Sequence, residues 1–160
     1  MKAASVKQIK DELKHKSNEE LIDLCLRLSK FKKENKELLS YLLYDLDNEA
    51  GYIKDIKVEI DEQFESINTQ TFYFIKKSVR KILRNIKKYI RYSKKKETEV
   101  ELLLYFTKKL SAMQPSIINN LTLYNIYKKQ VELTKKAISA LHEDLQYDYN
   151  EELEIINEDL

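Results

Sequence analysis

Apolar residues recur every three to four positions along most of the chain, which is the spacing of an amphipathic α-helix. The clearest case is the segment 72–95, where eight apolar or aromatic side chains fall on one side of a helical projection at about 100° per residue. They are Phe72, Ile75, Val79, Ile82, Leu83, Ile86, Tyr89 and Ile90. The pattern predicts a helix over 72–95 with one packed face, and Thr71 is its expected N-cap.

Other helix starts are predicted by capping boxes, in which a Ser or Thr cap is followed three residues later by Glu or Gln. The pairs are Ser5 with Gln8, Ser17 with Glu20, and Thr98 with Glu101. They predict a first helix over about 6–15, a second helix from Ser17 onward, and a helix that runs from Thr98 to a loop before Pro115.

Interruptions of the apolar pattern predict where helices end. The second helix is expected to break near Asn35, a turn is expected over 47–51 around the only glycine, and a third helix follows over about 50–67. The last long segment is expected to be interrupted near 147–150. The sequence therefore predicts six or seven helices in one all-α domain over 1–160, arranged as an irregular bundle or a short superhelical stack.

Composition narrows the fold and the setting. One glycine and one proline in 160 residues leave little material for hairpins, a Rossmann fold or a phosphate-binding glycine loop, so long helices are favoured. The single cysteine, Cys25, lies in an apolar run and is expected to be a small buried residue in a reducing, cytoplasmic setting. The longest unbroken apolar run, 102–106, is far too short to span a membrane.

Charge is strongly segregated although the formal net charge is only +2. Between residues 71 and 96 the chain has eleven Lys and Arg and no acidic residue. Six of these basic residues follow one another up the side of the predicted helix opposite the apolar stripe. They are the candidate polyanion-binding or partner-binding residues Lys77, Arg80, Lys81, Arg84, Lys88 and Arg91. Tyr73 and Tyr92 lie at the edge of this face.

Two acidic segments are candidates for neutralising the basic helix. The acids of the third helix lie opposite its isoleucine stripe, so they are expected to point away from the core and to reach only the flanks of the basic helix. Residues 143–160 are the better internal counter-charge, because a terminal helix there would be able to lie along the outside of the basic one.

Catalytic and metal-binding motifs are incomplete. Glu12 and His15 have the Glu-x-x-His spacing of di-iron bundles, but Ser139 stands three residues before His142, so the second copy is missing. The segment 45–51 begins like a calcium loop but places Gly51 one position too late. No nucleophile is paired with a His in sequence. We therefore expect no enzyme activity, no cofactor and no metal.

Four functions remain open for the basic helix. The first is a non-enzymatic cytoplasmic scaffold or adaptor that presents a charged helical surface to a protein partner or to a second copy. The alternative is non-specific nucleic-acid binding through the helix 72–95. A membrane-surface role is less favoured because the apolar stripe is needed for the core. A solvated face without a ligand is compatible with any of these.

The opening of the chain, 6–28 followed by 36–43, resembles the start of small bacterial all-helical proteins of unknown function. The shared pattern is a short helix, a Ser-capped second helix and a Tyr-Leu helix that ends in acids. This resemblance covers about the first third of the chain and implies a helical fold, with no activity or site residues. The same opening slightly resembles the helix-turn-helix of SAP-type DNA-binding modules, whose turn glycine is absent here.

Overall fold

The described part of the chain is entirely helical. A computed structural model describes residues 1–158 and 160, and these residues form eight α-helices without a strand. The helices are α1 (Val6–Leu13), α2 (Asn18–Phe31), α3 (Lys33–Ser40), α4 (Glu49–Glu65), α5 (Phe72–Ser93), α6 (Lys96–Ser111), α7 (Leu121–Ile138) and α8 (Glu143–Glu158). The all-α prediction is confirmed, and the predicted count of six to seven helices is too low.

The count was too low because two long segments are each divided in the structure. Lys32 adopts an extended conformation and separates α2 from α3, three residues before the break expected near Asn35. The last segment is divided at 139–142 and not at 147–150, where α8 is continuous. Both breaks lack a glycine or proline, so the sequence carries no strong local signal for them.

The chain divides into two compact units, residues 1–46 and residues 47–160. The expectation of a single domain over 1–160 stays a prediction. Apart from Tyr41, the buried hydrophobic residues that the structure describes all belong to the second unit.

In residues 1–46, both predicted capping boxes are present. Ser5 and Ser17 each accept a hydrogen bond from the backbone N–H three residues later, and the Gln8 and Glu20 side chains accept from the cap N–H groups in return. Helices α2 and α3 pack together, and the Asn35 side chain donates to the Leu28 carbonyl across their junction at 2.8 Å. A π-helical turn, Tyr41–Asp45, follows α3.

In residues 47–160, α6 is the central helix. It packs against α4, α5, α7 and α8, and it is buried on more than one side. Its buried residues are Thr98, Val100, Leu102, Leu103, Leu104, Phe106, Thr107 and Leu110. A helix that is buried over a wide arc is the kind found inside a bundle, and four of the five residues of the apolar run 102–106 are at most 2% exposed.

The junction between α4 and α6 differs from the expected turn and cap. Asn48 is the N-cap of α4, and Gly51 lies within its first turn. Thr98 does not cap α6, which begins at Lys96; Thr98 is fully buried and donates a hydrogen bond to Glu49 at 2.5 Å. A tertiary partner for its hydroxyl therefore overrides the capping-box signal.

Candidate functional site

Helix α5 forms where the sequence predicts it. Thr71 caps it by accepting a hydrogen bond from the Phe74 N–H at 3.5 Å. The chain leaves the helix at Lys94, whose φ of 58° places it in the left-handed conformation. No proline or glycine interrupts the 22 residues between these points.

One side of α5 is packed into the bundle as expected. The stripe residues Ile75, Val79, Ile82 and Ile86 are at most 2% exposed, while Phe72, Leu83, Tyr89 and Ile90 are half-buried. The opposite side carries the six predicted basic residues within an arc of about 100°. We call these six residues the basic face: Lys77, Arg80, Lys81, Arg84, Lys88 and Arg91.

The basic face is open to solvent. Five of its six residues are exposed, and Lys88 is half-buried. The Lys88 ammonium lies 4.7 Å from the Tyr89 ring centroid and 6.0 Å from that of Tyr92, which is the geometry of a cation–π contact. Tyr73 is 66% exposed near the helix start.

The five exposed residues of the basic face have no acidic partner. Among residues 1–158 and 160, no carboxylate lies within 4 Å of Lys77, Arg80, Lys81, Arg84 or Arg91. Salt bridges of this basic segment occur at its end, where Lys95 pairs with Glu49 at 2.9 Å and Lys96 with Glu99 at 2.8 Å. The acids of α4 thus reach the flank and the end of α5, as expected.

The acidic helix α8 packs elsewhere. Its buried residues Leu153 and Ile156 lie where α8 packs on α6 and α7. The Tyr127 hydroxyl of α7 donates to the Asn157 side chain at 2.7 Å, and the Tyr149 hydroxyl donates to Glu101 of α6 at 2.8 Å. In the part of the chain that the structure describes, α8 therefore supplies no ion pair to the five exposed residues of the basic face.

Hydrogen bonds from two tyrosines connect one flank of α5 to α4. The Tyr52 hydroxyl donates to the Tyr89 carbonyl at 3.0 Å, and the Tyr89 hydroxyl donates to Glu59 at 2.8 Å. The two rings meet edge to face with centroids 6.5 Å apart, a favourable aromatic arrangement. These contacts fix the rotation of α5, and hence the direction in which the basic face points.

The other flank of α5 borders a cleft towards α7, which the sequence analysis missed. Lys87 lies there opposite Lys129 of α7. Burial, followed by the charge of Lys129, lowers the pKa of the Lys87 ammonium below its usual range. The apolar pattern of 72–95 placed Lys87 beside the basic face, but no local signal joins it to a lysine on another helix.

The other candidate metal-binding and catalytic side chains do not come together in the described part of the chain. Within the described ranges, no group of three His, Cys, Asp or Glu side chains is placed to hold a metal ion. His142 pairs only locally, with Asp144 at 3.4 Å. Cys25 is exposed, so the expectation that it is buried is wrong: the apolar residues around it form an open groove and not a closed core.

None of the helices in the described residues is long and apolar enough to cross a bilayer. The sequence prediction on this point is confirmed.

Comparison with known proteins adds no relative. No protein-family model matches the sequence, and neither a curated protein nor a solved structure shows a significant match.

Proposed function

We propose that residues 47–160 bind the phosphate backbone of nucleic acid, without base specificity, through the basic face of α5. The observation that carries the proposal is the row of exposed cationic side chains without an acidic partner. Lys and Arg about one helical turn apart have Cβ atoms about 5–6 Å from one another, so their long side chains can contact several phosphates of one strand. The protein then acts as a binding protein and not as an enzyme.

One further feature supports contact with a single strand. Tyr73, exposed beside the cations, provides a ring on which an unpaired base can stack. A reducing, cytoplasmic setting is part of the proposal, because Cys25 has no second cysteine with which to form an intramolecular disulfide.

The test is fluorescence anisotropy with a labelled random duplex of about 20 base pairs and with a single strand of the same sequence, titrated across salt concentrations. If about five phosphates are neutralised, the logarithm of the association constant falls with the logarithm of salt with a slope of about −4 to −5. A variant with Lys77, Lys81, Arg84 and Lys88 changed to Gln is expected to lose binding while keeping its helical circular dichroism.

The matched control removes the same four charges elsewhere, at Lys2, Lys7, Lys10 and Lys30. These lysines are exposed in residues 1–46, and changing them to Gln is expected to leave binding within about twofold. Absence of binding to either nucleic acid at about 50 mM salt, where such contacts are strong, contradicts the proposal.

A second function, a helical adaptor for a protein partner, is favoured by a separate observation in residues 1–46. A groove of about 280 Å³ there is lined mainly by apolar side chains. Its residues are Cys25, Leu28, Ser29, Asn35, Leu38, Leu39 and Leu42. Grooves of this kind receive the apolar face of a partner helix.

Leu28→Asp is expected to abolish capture of a partner in a pull-down. A monomer at all concentrations with nothing captured above background counts against the adaptor.

A further inference from the structure

An open cleft of about 390 Å³ lies between α5 and α7, beside the basic face. Two lysines, a threonine hydroxyl and two side-chain amides face it, along with two apolar side chains. The lining residues are Leu83, Lys87, Thr122, Asn125, Ile126, Lys129 and Gln130. A cleft of this size falls within the range of small-ligand sites.

The positive charges of the two lysines in the cleft are not neutralised by an acidic side chain among the described residues. In the described parts of the chain, no carboxylate lies within 4 Å of Lys87 or Lys129. Lys87 is half-buried, and its lowered pKa reflects that burial and the charge of Lys129. Lys129 is exposed, so the cost of burial falls on the Lys87 ammonium, and an anion bound between the two lysines would offset that cost and their mutual repulsion.

Gln130 also lines the cleft. It is 1% exposed, and its Oε1 has no hydrogen-bond partner among the residues described. Its Nε2 donates only a long bond of 3.4 Å, to the Ile126 carbonyl. Because Oε1 is an acceptor, the phosphate dianion itself cannot satisfy it, whereas a hydroxyl on the group that carries the phosphate can donate to it.

We propose that the cleft binds the dianion of a phosphomonoester, with Lys87 and Lys129 on its oxygens. Two ammonium groups match the two charges of a phosphomonoester better than the single charge of a carboxylate. Thr122 and Asn125 add neutral donors, and Leu83 with Ile126 offers an apolar wall to the group that carries the phosphate.

The phosphate has two possible sources with this chemistry. One is a free nucleoside monophosphate. The other is the terminal phosphate of a nucleic acid, which rests on the proposed function: Arg84 and Arg91 lie about one turn before and after Lys87, so a strand along the basic face would bring its end to the cleft.

Calorimetry with adenosine 5′-monophosphate tests the first source, with adenosine as the probe that lacks the phosphate. The expected result is one site for the monophosphate and no binding of adenosine. Lys87→Gln with Lys129→Gln is expected to weaken binding by about tenfold or more. The matched control, Lys135→Gln with Lys136→Gln, removes the same charge from exposed positions near the end of α7 and is expected to stay within about twofold.

Anisotropy with a single-stranded RNA of about ten nucleotides, carrying a 5′-phosphate or a 5′-hydroxyl, tests the second source. Tighter binding of the 5′-phosphorylated strand, lost in the Lys87 and Lys129 variant, supports the cleft. Retention of the preference when both lysines become Arg supports it further, because the cationic donors are kept.

The two proposals fail separately. Equal binding of both RNAs, with no binding of the monophosphate, overturns the cleft and leaves backbone binding standing. Binding of the monophosphate without binding of any oligonucleotide supports the cleft and overturns the nucleic-acid proposal.

Discussion

At the scale of single residues, Glu101 of α6 connects three helices. It accepts hydrogen bonds from Lys57 of α4 and from Tyr149 of α8, the latter at 2.8 Å. Burial raises the pKa of this carboxyl, but the bonds from Lys57 and Tyr149 outweigh it and hold the pKa below its usual range. The ionised carboxylate is therefore the form that stabilises the fold.

Replacing Glu101 with Gln is expected to lower the free energy of unfolding by about 1 kcal/mol at neutral pH. Because the folded-state pKa is depressed, this contribution is present above the unfolded pKa of about 4.3 and is lost as pH falls through the lower folded value. Urea unfolding of both proteins at neutral pH and at about pH 3 measures the difference, which should narrow in acid.

Glu62→Gln is the control for the Glu101 experiment. Glu62 is exposed on α4, so its replacement is expected to change the unfolding free energy by less than about 0.5 kcal/mol. A loss at Glu101 that is equally large at both pH values would contradict the role given to its charge.

The sequence predicted candidate site residues where they share one helix, and missed candidates that are brought together from different helices. Lys77 and Arg84 were predicted because helical periodicity alone places them on one face. Lys129 and Gln130 join Lys87 only through the packing of α5 and α7 around α6, which no local pattern encodes. The prediction that Cys25 is buried was wrong because the apolar residues near it in sequence line an open groove and do not form a closed core.

At the scale of elements, the N-terminus of α4 is held by close packing of Asn48 on Gly51. The Asn48 Oδ1 accepts from the Gly51 N–H at 3.2 Å, and a Cβ at position 51 would lie 2.4 Å from Asn48 Nδ2. The only glycine is thus needed for the cap and not for a turn.

Gly51→Ala is expected to have opposite effects in two backgrounds. With Asn48 present, the new methyl displaces the cap, and the loss of about 1 kcal/mol offsets or exceeds the gain in helix propensity. With Asn48→Ala already made, the same change is expected to stabilise by about 0.5–1 kcal/mol. Thermal unfolding of the wild type, the two single variants and the double variant measures both effects. Equal effects of Gly51→Ala with and without Asn48 would contradict the packing of Asn48 on Gly51.

Helix starts were predictable where the cap is local, and helix ends were less so. Ser5, Ser17 and Thr71 cap as expected because their partners lie three residues away. Thr98 has the same spacing, but burial beside Glu49 gives its hydroxyl a partner in another helix. The break at Lys32 lies three residues before the position near Asn35 at which the interrupted apolar pattern predicts it.

At the scale of the whole molecule, the distribution of buried residues is uneven. The described core lies in residues 47–160, with Tyr41 the exception. The all-α fold class was predictable because helical periodicity and the scarcity of glycine and proline are enough to indicate it. The division into two units was not predictable, because it depends on which apolar helix faces pack against one another.

Residues 47–160 alone are expected to unfold cooperatively with a midpoint temperature close to that of the full chain, because they retain nearly all the buried apolar area. Residues 1–46 alone are expected to be largely unfolded, since they bury too little to offset the entropy of ordering. Circular dichroism melts of both fragments measure this. A fragment 47–160 without a cooperative transition would show that its core depends on the first unit.

The packing of α8 on α6 and α7, away from ion pairing with α5, has an electrical consequence. Because α5 is basic and α8 is acidic within the same compact unit, residues 47–160 have an uneven charge distribution although the net charge is near zero. Near a polyanion, the basic side of residues 47–160 is attracted and the acidic side is repelled. These two forces rotate the molecule, although their sum is small. It would turn its basic face forward within a Debye length, about 10 Å at moderate salt, so orientation precedes contact.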